Sequence, residues 1–213
     1  VAGAAAHLDW PALRCPELLS ADALAMNAQA ARADVIVLGP GLGQSEWSER
    51  VFARFIAVES PLVIDADGLN LLARSRCSRR DDWTLTPHPG EAARLLDCAV
   101  REVQADRLAA AREIVAKFGG TCVLKGAGTL VVNANDDGAL LCDRGNPGMA
   151  SAGMGDVLAG VIGALRARGL PHAVAVAVWL HSAAADLAAD ELGERSLLAR
   201  DVIAHLGRVL RAC

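Results

Sequence analysis

Residues Asn146–Gly160 read N-P-G-M-A-S-A-G-M-G-D-V-L-A-G, with four glycines in the thirteen residues from Gly148 onward. Small residues run directly into a helical pattern whose apolar face is Val157, Leu158, Val161, Ile162 and Leu165. Gly153, Met154 and Gly155 are therefore expected to present free backbone N–H groups at the positive end of a helix. That is an anion site, and glycine lets a phosphate come close to the backbone. Asp156 falls in the first turn beside it. One reading is a carboxylate that the helix dipole favours. The other is a base that takes a proton from an attacking hydroxyl, the use that justifies a negative group next to an anion hole.

Upstream, short β-branched runs alternate with alanine-rich helical patterns. Asp34–Gly39 and Pro61–Asp65 are continuous apolar runs, as expected of strands buried on both faces of a parallel sheet. Trp83–Thr86, Thr121–Lys125, Thr129–Asn133 and Ala139–Cys142 are further strand candidates, the last two joined by the hairpin signal N-A-N-D-D-G. Helices are expected over Ser45–Val58, Pro89–Asp97 and Glu102–Phe118, then over about 155–168, 172–190 and 198–211. This is one α/β layer structure without repeats or linkers.

Composition narrows the function. The 213 residues are 53% hydrophobic and 22% charged, with a net charge of −4, which gives no footprint for nucleic acid or an anionic membrane surface. Six cysteines form no C-x-x-C pair, so reduced thiols in a cytoplasmic protein are expected. The apolar run Ala173–Leu180 meets His181 well short of a membrane span. There is no P-loop, no G-x-G-x-x-G after a strand, no H-E-x-x-H, and no glycine two residues before Ser151 for a nucleophile elbow. Arg79-Arg80-Asp81-Asp82 reads as a solvated loop.

Four further stretches fall at strand ends, where open α/β sheets bind ligands. Gly39–Gly43 (G-P-G-L-G) is either a ligand loop or an ordinary strand–helix turn. Asp65 and Asp67 close the next strand, with ligand contact and helix capping equally open for Asp67. His88 lies between two prolines, and Glu91 sits in the helical turn that follows, a dipole-favoured place. Lys125 ends a strand ahead of Gly126, Ala127, Gly128 and Thr129, a basic residue plus a glycine turn that suits polyphosphate; a snorkelling lysine is the alternative.

The run Ser151–Gly160 resembles the anion-hole and catalytic-Asp signature of the ribokinase-like superfamily. With Asn146–Leu158, Gly39–Gly43, Asp65–Asn70, Thr86–Glu91 and Lys125–Thr129 in that order, the chain is similar, from about residue 34 to 190, to the ADP/ATP-dependent NAD(P)H-hydrate dehydratases. The resemblance implies a ribokinase-like three-layer α/β/α fold with a mostly parallel sheet. It implies Asp156 as the base, touching substrate together with Gly43 and His88. It gives Lys125, Gly126, Ala127, Gly128 and Thr129, with Gly153, Met154 and Gly155, to ADP or ATP, and it places Glu91 where Mg²⁺ is organised, mostly through water. The implied reaction phosphorylates the 6-hydroxyl of NAD(P)H hydrate and then eliminates phosphate.

Two other classes stay open: an alcohol kinase of the same superfamily, and a nucleotide-binding module without turnover. A homo-oligomer is expected. Residues 1–33 read as a connecting segment and an alanine-rich helix, and the chain opens on Val1. Residues 1–213 are thus expected to be a single domain lacking its first strand–helix–strand segment, roughly 50–70 residues.

Overall fold

The structure is a computed structural model that describes residues 30–135 and 138–212. The expected segment 1–33 therefore lies outside the described residues except for its last four, and so do the two central aspartates of the hairpin turn. Six strands form one sheet in sequence order: β1 (Ile36–Leu38), β2 (Leu62–Ile64), β3 (Trp83–Leu85), β4 (Thr121–Leu124), β5 (Thr129–Asn133) and β6 (Ala139–Cys142). The first four are parallel, and β5 and β6 add antiparallel at one side. Leu62, Val63 and Ile64 are all fully buried, which is why β2 reads as an unbroken apolar run.

Helices α1 (Glu46–Ile56), α2 (Asp67–Arg74), α3 (Pro89–Leu96), α4 (Val100–Ala105) and α5 (Arg107–Phe118) pack with Leu62, Leu85 and Leu124 on one face. The other face, carrying Val63, Val123 and Val131, is covered by α6 (Met154–Ala167) and α7 (Ala173–Leu192), and α8 (Ala199–Ala212) packs outside them. This is the three-layer α/β/α architecture with a mostly parallel sheet. Successive strands step the same way across the sheet, so right-handed crossovers put all of α1–α5 on one side.

The structure differs from the sequence reading at three places. The single helix expected over Glu102–Phe118 is two, because Asp106 leaves helical geometry (φ −144°, ψ 87°) and its carboxylate accepts the Ala109 N–H at 2.8 Å. Helix α2 starts inside the D-A-D-G turn, with Asp67 as its first residue rather than its cap. Arg80 is more than a solvated charge: it donates to the carbonyls of Ile56 and Glu59 and lies 5.8 Å from the Trp83 ring. Helix α7 has the length and apolarity of a membrane span, yet half of it is buried, with Ala177, Leu180, Ala184 and Ala188 packed into the core. Among the described residues Cys77, Cys98, Cys122 and Cys142 are free thiols.

Candidate active site

The carboxyl ends of β2, β3 and β4 open into a cleft of about 910 Å³, closed on the far side by the start of α6 and one face of α7. Helix α6 begins after Gly153, whose φ of +85° suits glycine, and no side chain caps it. Its first-turn N–H groups, apart from a long 3.5 Å bond from Met154 to the Ser151 carbonyl, are left for a ligand, next to Asp156. Loss of surrounding water lifts the Asp156 carboxyl above the ordinary range; the Asp65 carboxylate adds to the lift, and the Lys125 ammonium opposes it.

Lys125 is held from below. Its Nζ lies 2.7 Å from Oδ1 of Asp65 and 3.8 Å from Oε2 of Glu91. Asp65 is 1% exposed and also accepts the Thr86 hydroxyl at 2.8 Å. A Cβ added at Gly155 would meet Lys125 Nζ at 3.2 Å, so the ammonium sits directly under the glycine that opens α6. Two carboxylates, Asp65 and Glu91, thus lie against one ammonium, whose charge also reaches Asp156.

His88 is the N-cap of α3. Its Nδ1 accepts the N–H groups of Gly90 and Glu91 at 2.9 and 3.3 Å, and the Glu91 carboxylate accepts the His88 N–H at 2.7 Å in return. This capping box occupies the edge of the ring facing the helix and leaves the half-exposed imidazole on the cleft wall. Glu91 is buried beneath it.

The turn after β4 owes its shape to a residue that sequence reading passed over. Arg107, at the start of α5, donates from Nη2 to the carbonyls of Leu124 and Gly128, both at 3.1 Å. Gly126, at φ +144°, lies so close that a Cβ would come within 2.5 Å of Arg107 Nη1. Asp186 and His181 on α7 were also passed over. Asp186 accepts the Gly145 N–H and the Asn146 side-chain amide, each at 3.0 Å. His181 is 3% exposed and is held by burial down to about 4, so its ring is neutral. Its Nε2 has no partner. Each of these acts across a long stretch of chain, and no local pattern marks it.

The cleft wall brings together Lys125, Gly126, Ala127, Gly128, Thr129, Met154, Gly155, Asp156, His88 and Glu91. Gly153 caps α6 just behind it. Gly43 is not on this wall; its N–H, at φ +74°, donates to Oδ2 of Asp67 at 2.8 Å. Asp67 is the first residue of α2, after the N-cap Ala66. It therefore neither caps α2 nor lines the cleft, and instead ties the β1 loop to the β2 loop.

The family model for NAD(P)H-hydrate dehydratase matches residues 2–208. The bifunctional NAD(P)H-hydrate repair enzyme of Coxiella burnetii is 48% identical over 202 residues, covering 94% of this chain and 40% of its own length. The ADP-dependent (S)-NAD(P)H-hydrate dehydratase of Neisseria meningitidis is 42% identical over 207 residues, covering 92% of this chain and 69% of its own. A Bacillus subtilis ADP/ATP-dependent NAD(P)H-hydrate dehydratase co-crystallised with ATP/Mg²⁺ superposes with a TM-score of 0.77 at 34% identity, over 86% of this chain and 68% of that one. Ribokinase from Thermotoga maritima shares the fold alone, with a TM-score of 0.52 at 19% identity over 84% of this chain and 59% of its own. The chain spans well under half the length of the bifunctional relatives it matches.

Proposed function

Because the chain belongs to the NAD(P)H-hydrate dehydratase family, we propose that it uses ADP or ATP to dehydrate the S epimer of NAD(P)H hydrate to NADH or NADPH. The observation that carries this reading is the uncapped start of α6, with Asp156 on one side and the Asp65-held Lys125 beneath it. In this reading the Asp156 carboxylate takes the proton from the 6-hydroxyl as its oxygen attacks the terminal phosphorus of the nucleotide. The lifted affinity of Asp156 for a proton suits that role. The N–H groups at Gly153–Gly155 hold the transferred phosphoryl group as its charge spreads. Lys125 adds a fixed positive charge, and Lys125–Thr129 hold the nucleotide. His88 and, from the β1 loop, Gly43 position the dinucleotide. Phosphate then leaves with the C–O bonding pair, a ring proton is lost, and the conjugated dihydropyridine returns.

A Mg²⁺ ion fits in a restricted way. Among the described residues no three metal-ligating side chains stand together, and both oxygens of Glu91 face His88, Oε2 accepting its N–H and Oε1 lying 3.4 Å from its Nε2. Yet three carboxylates to one ammonium leave the cleft floor negative. Such a site suits an ion held mainly by phosphate oxygens and water, with Glu91 and Asp156 nearby; it would supply charge neutralisation on the phosphates. The proposal carries with it a cytoplasmic, homo-oligomeric setting, and the exposed Leu140 and Leu141 on edge strand β6 support the second part.

The test is to give purified protein the hydrate with ADP or ATP. Recovery of reduced-nicotinamide absorbance with one phosphate released per turnover is expected. A stable phosphorylated product without that recovery would make it a kinase, and nucleotide binding without phosphate release would make it a binding module.

A further inference from the structure

The loop Gly145–Gly153 forms one wall of the cleft and delivers the chain to α6, and it is fastened from α7. Asp186 takes two donors, the Gly145 N–H and Asn146 Nδ2. Asn146 in turn accepts the Gly148 N–H at 3.1 Å through its Oδ1. These contacts fix a polarity: carboxylate, then amide nitrogen, then amide oxygen, then backbone N–H. A flipped Asn146 would aim its oxygen at the carboxylate and its NH₂ at a donor. Gly148 is locked as well, since a Cβ there would fall 2.3 Å from the Glu194 carbonyl oxygen.

We propose that Asp186 is a positioning residue of the reaction: it sets the loop that places the first turn of α6, and with it Asp156, against the bound nucleotide. A carboxylate is needed because both partners donate. An amide at this position would turn its own NH₂ toward one of them. The catalytic half of this inference rests on the reading of Asp156 above; the structural half does not.

Swapping the polarity tests both. Asp186→Asn and Asn146→Asp are made singly and together. The double variant restores the sequence of donors and acceptors and keeps the pair at one negative charge. Hydrogen exchange of the Gly145 and Gly148 amides reads the clamp without any reaction. Calorimetric ADP binding, with kcat and KM for the hydrate, reads its consequence. Either single variant should speed exchange at both amides and lower kcat/KM by about 10²-fold, the scale of a misplacement near 1 Å. The double variant should return both readouts to within about threefold of the parent, the signature of a coupled pair. Unchanged exchange in the singles, or a double no better than either single, overturns the clamp. Altered exchange with unchanged ADP affinity and kcat/KM overturns the positioning role. Loss of dehydratase activity in the parent protein would sink the assigned reaction, while exchange would still decide the clamp.

Discussion

Lys125 Nζ stands 2.7 Å from Asp65 Oδ1 and within 3.2 Å of where a Gly155 Cβ would be. One ammonium therefore neutralises a carboxylate that is 1% exposed and underlies the helix end that faces the cleft. A side chain at residue 155 would crowd this ammonium.

Lys125→Met should leave Asp65 charged, buried and supported mainly by the Thr86 hydroxyl. Removing one partner of a buried pair costs about 3–5 kcal/mol, and urea melting should show a loss of that order. The double variant with Asp65→Asn should recover much of it. A single variant as stable as the parent would mean that the pair is not coupled in solution.

Asp156→Asn separates function from stability. Turnover should fall by at least about 10²-fold, the lower range for a lost general base, while ADP affinity stays close to the parent's because the backbone donors remain. The Asp156 carboxyl is lifted above its unfolded value, so the folded state favours its protonated form. Its contribution to stability is present at low pH and is lost as pH rises through the lifted value. The Asn variant should accordingly melt no lower than the parent at neutral pH, and any gain should vanish below the ordinary carboxylate range. In the parent, kcat should fall on the acid side at a pH above that of an unperturbed aspartate. An acid limb that persists in the Asn variant would assign it to another group.

The strands were legible because burial on both faces leaves a plain signature, as at Leu62–Ile64. The start of α6 was legible because a glycine-rich turn before an amphipathic run has few other uses. Residues that shape the cleft from a distance were not. Arg107 reaches carbonyls 17 and 21 residues away, and Asp186 reaches back 40 and 41. Nothing local distinguishes such an arginine or aspartate from a surface charge. Gly43 and Asp67 were read as separate candidates, whereas they bond to each other. His88 showed its rigidity in its flanking prolines but not that its ring would also cap a helix.

Gly155 and Gly153 should respond differently to alanine. Gly153 has φ +85°, and a Cβ there would come within 3.2 Å of the Ala199 methyl, so Gly153→Ala should cost about 1 kcal/mol or more of stability. Gly155 is not in the left-handed region, and its added methyl would meet Lys125 Nζ at 3.2 Å and Asp65 Oδ2 at 3.6 Å, side-chain ends that need give by only a few tenths of an ångström. Gly155→Ala should therefore remain nearly as stable while nucleotide affinity and turnover fall; Gly155→Val should do this more strongly. Equal melting temperatures for the two alanine variants would contradict the assignment.

Ala66 is held at φ 48° and ψ −119° on the cleft wall, a conformation that suits glycine. Ala66→Gly should raise stability by about 1 kcal/mol despite the added freedom of the unfolded chain. A drop in melting temperature would show that the turn is not strained.

Arg107 offers the clearest separation of nucleotide binding from chemistry. Its guanidinium bridges the carbonyl of Leu124, just before the Lys125–Thr129 turn, and that of Gly128 within it, while the Thr129 hydroxyl closes the turn onto the Gly126 carbonyl at 3.1 Å. Arg107→Met keeps the aliphatic stem but removes both donors, and the loosened turn must then be ordered by the nucleotide itself. Charge-assisted bonds of this kind contribute about 1.5–3 kcal/mol, so the ADP dissociation constant should rise about tenfold or more. At saturating nucleotide, kcat should stay within about threefold, because Asp156 and the start of α6 lie on another element. Arg107→Lys should recover only part of the affinity, since a compact ammonium lacks the fork that spans two carbonyls. A large fall in kcat with unchanged affinity would move the nucleotide away from this turn.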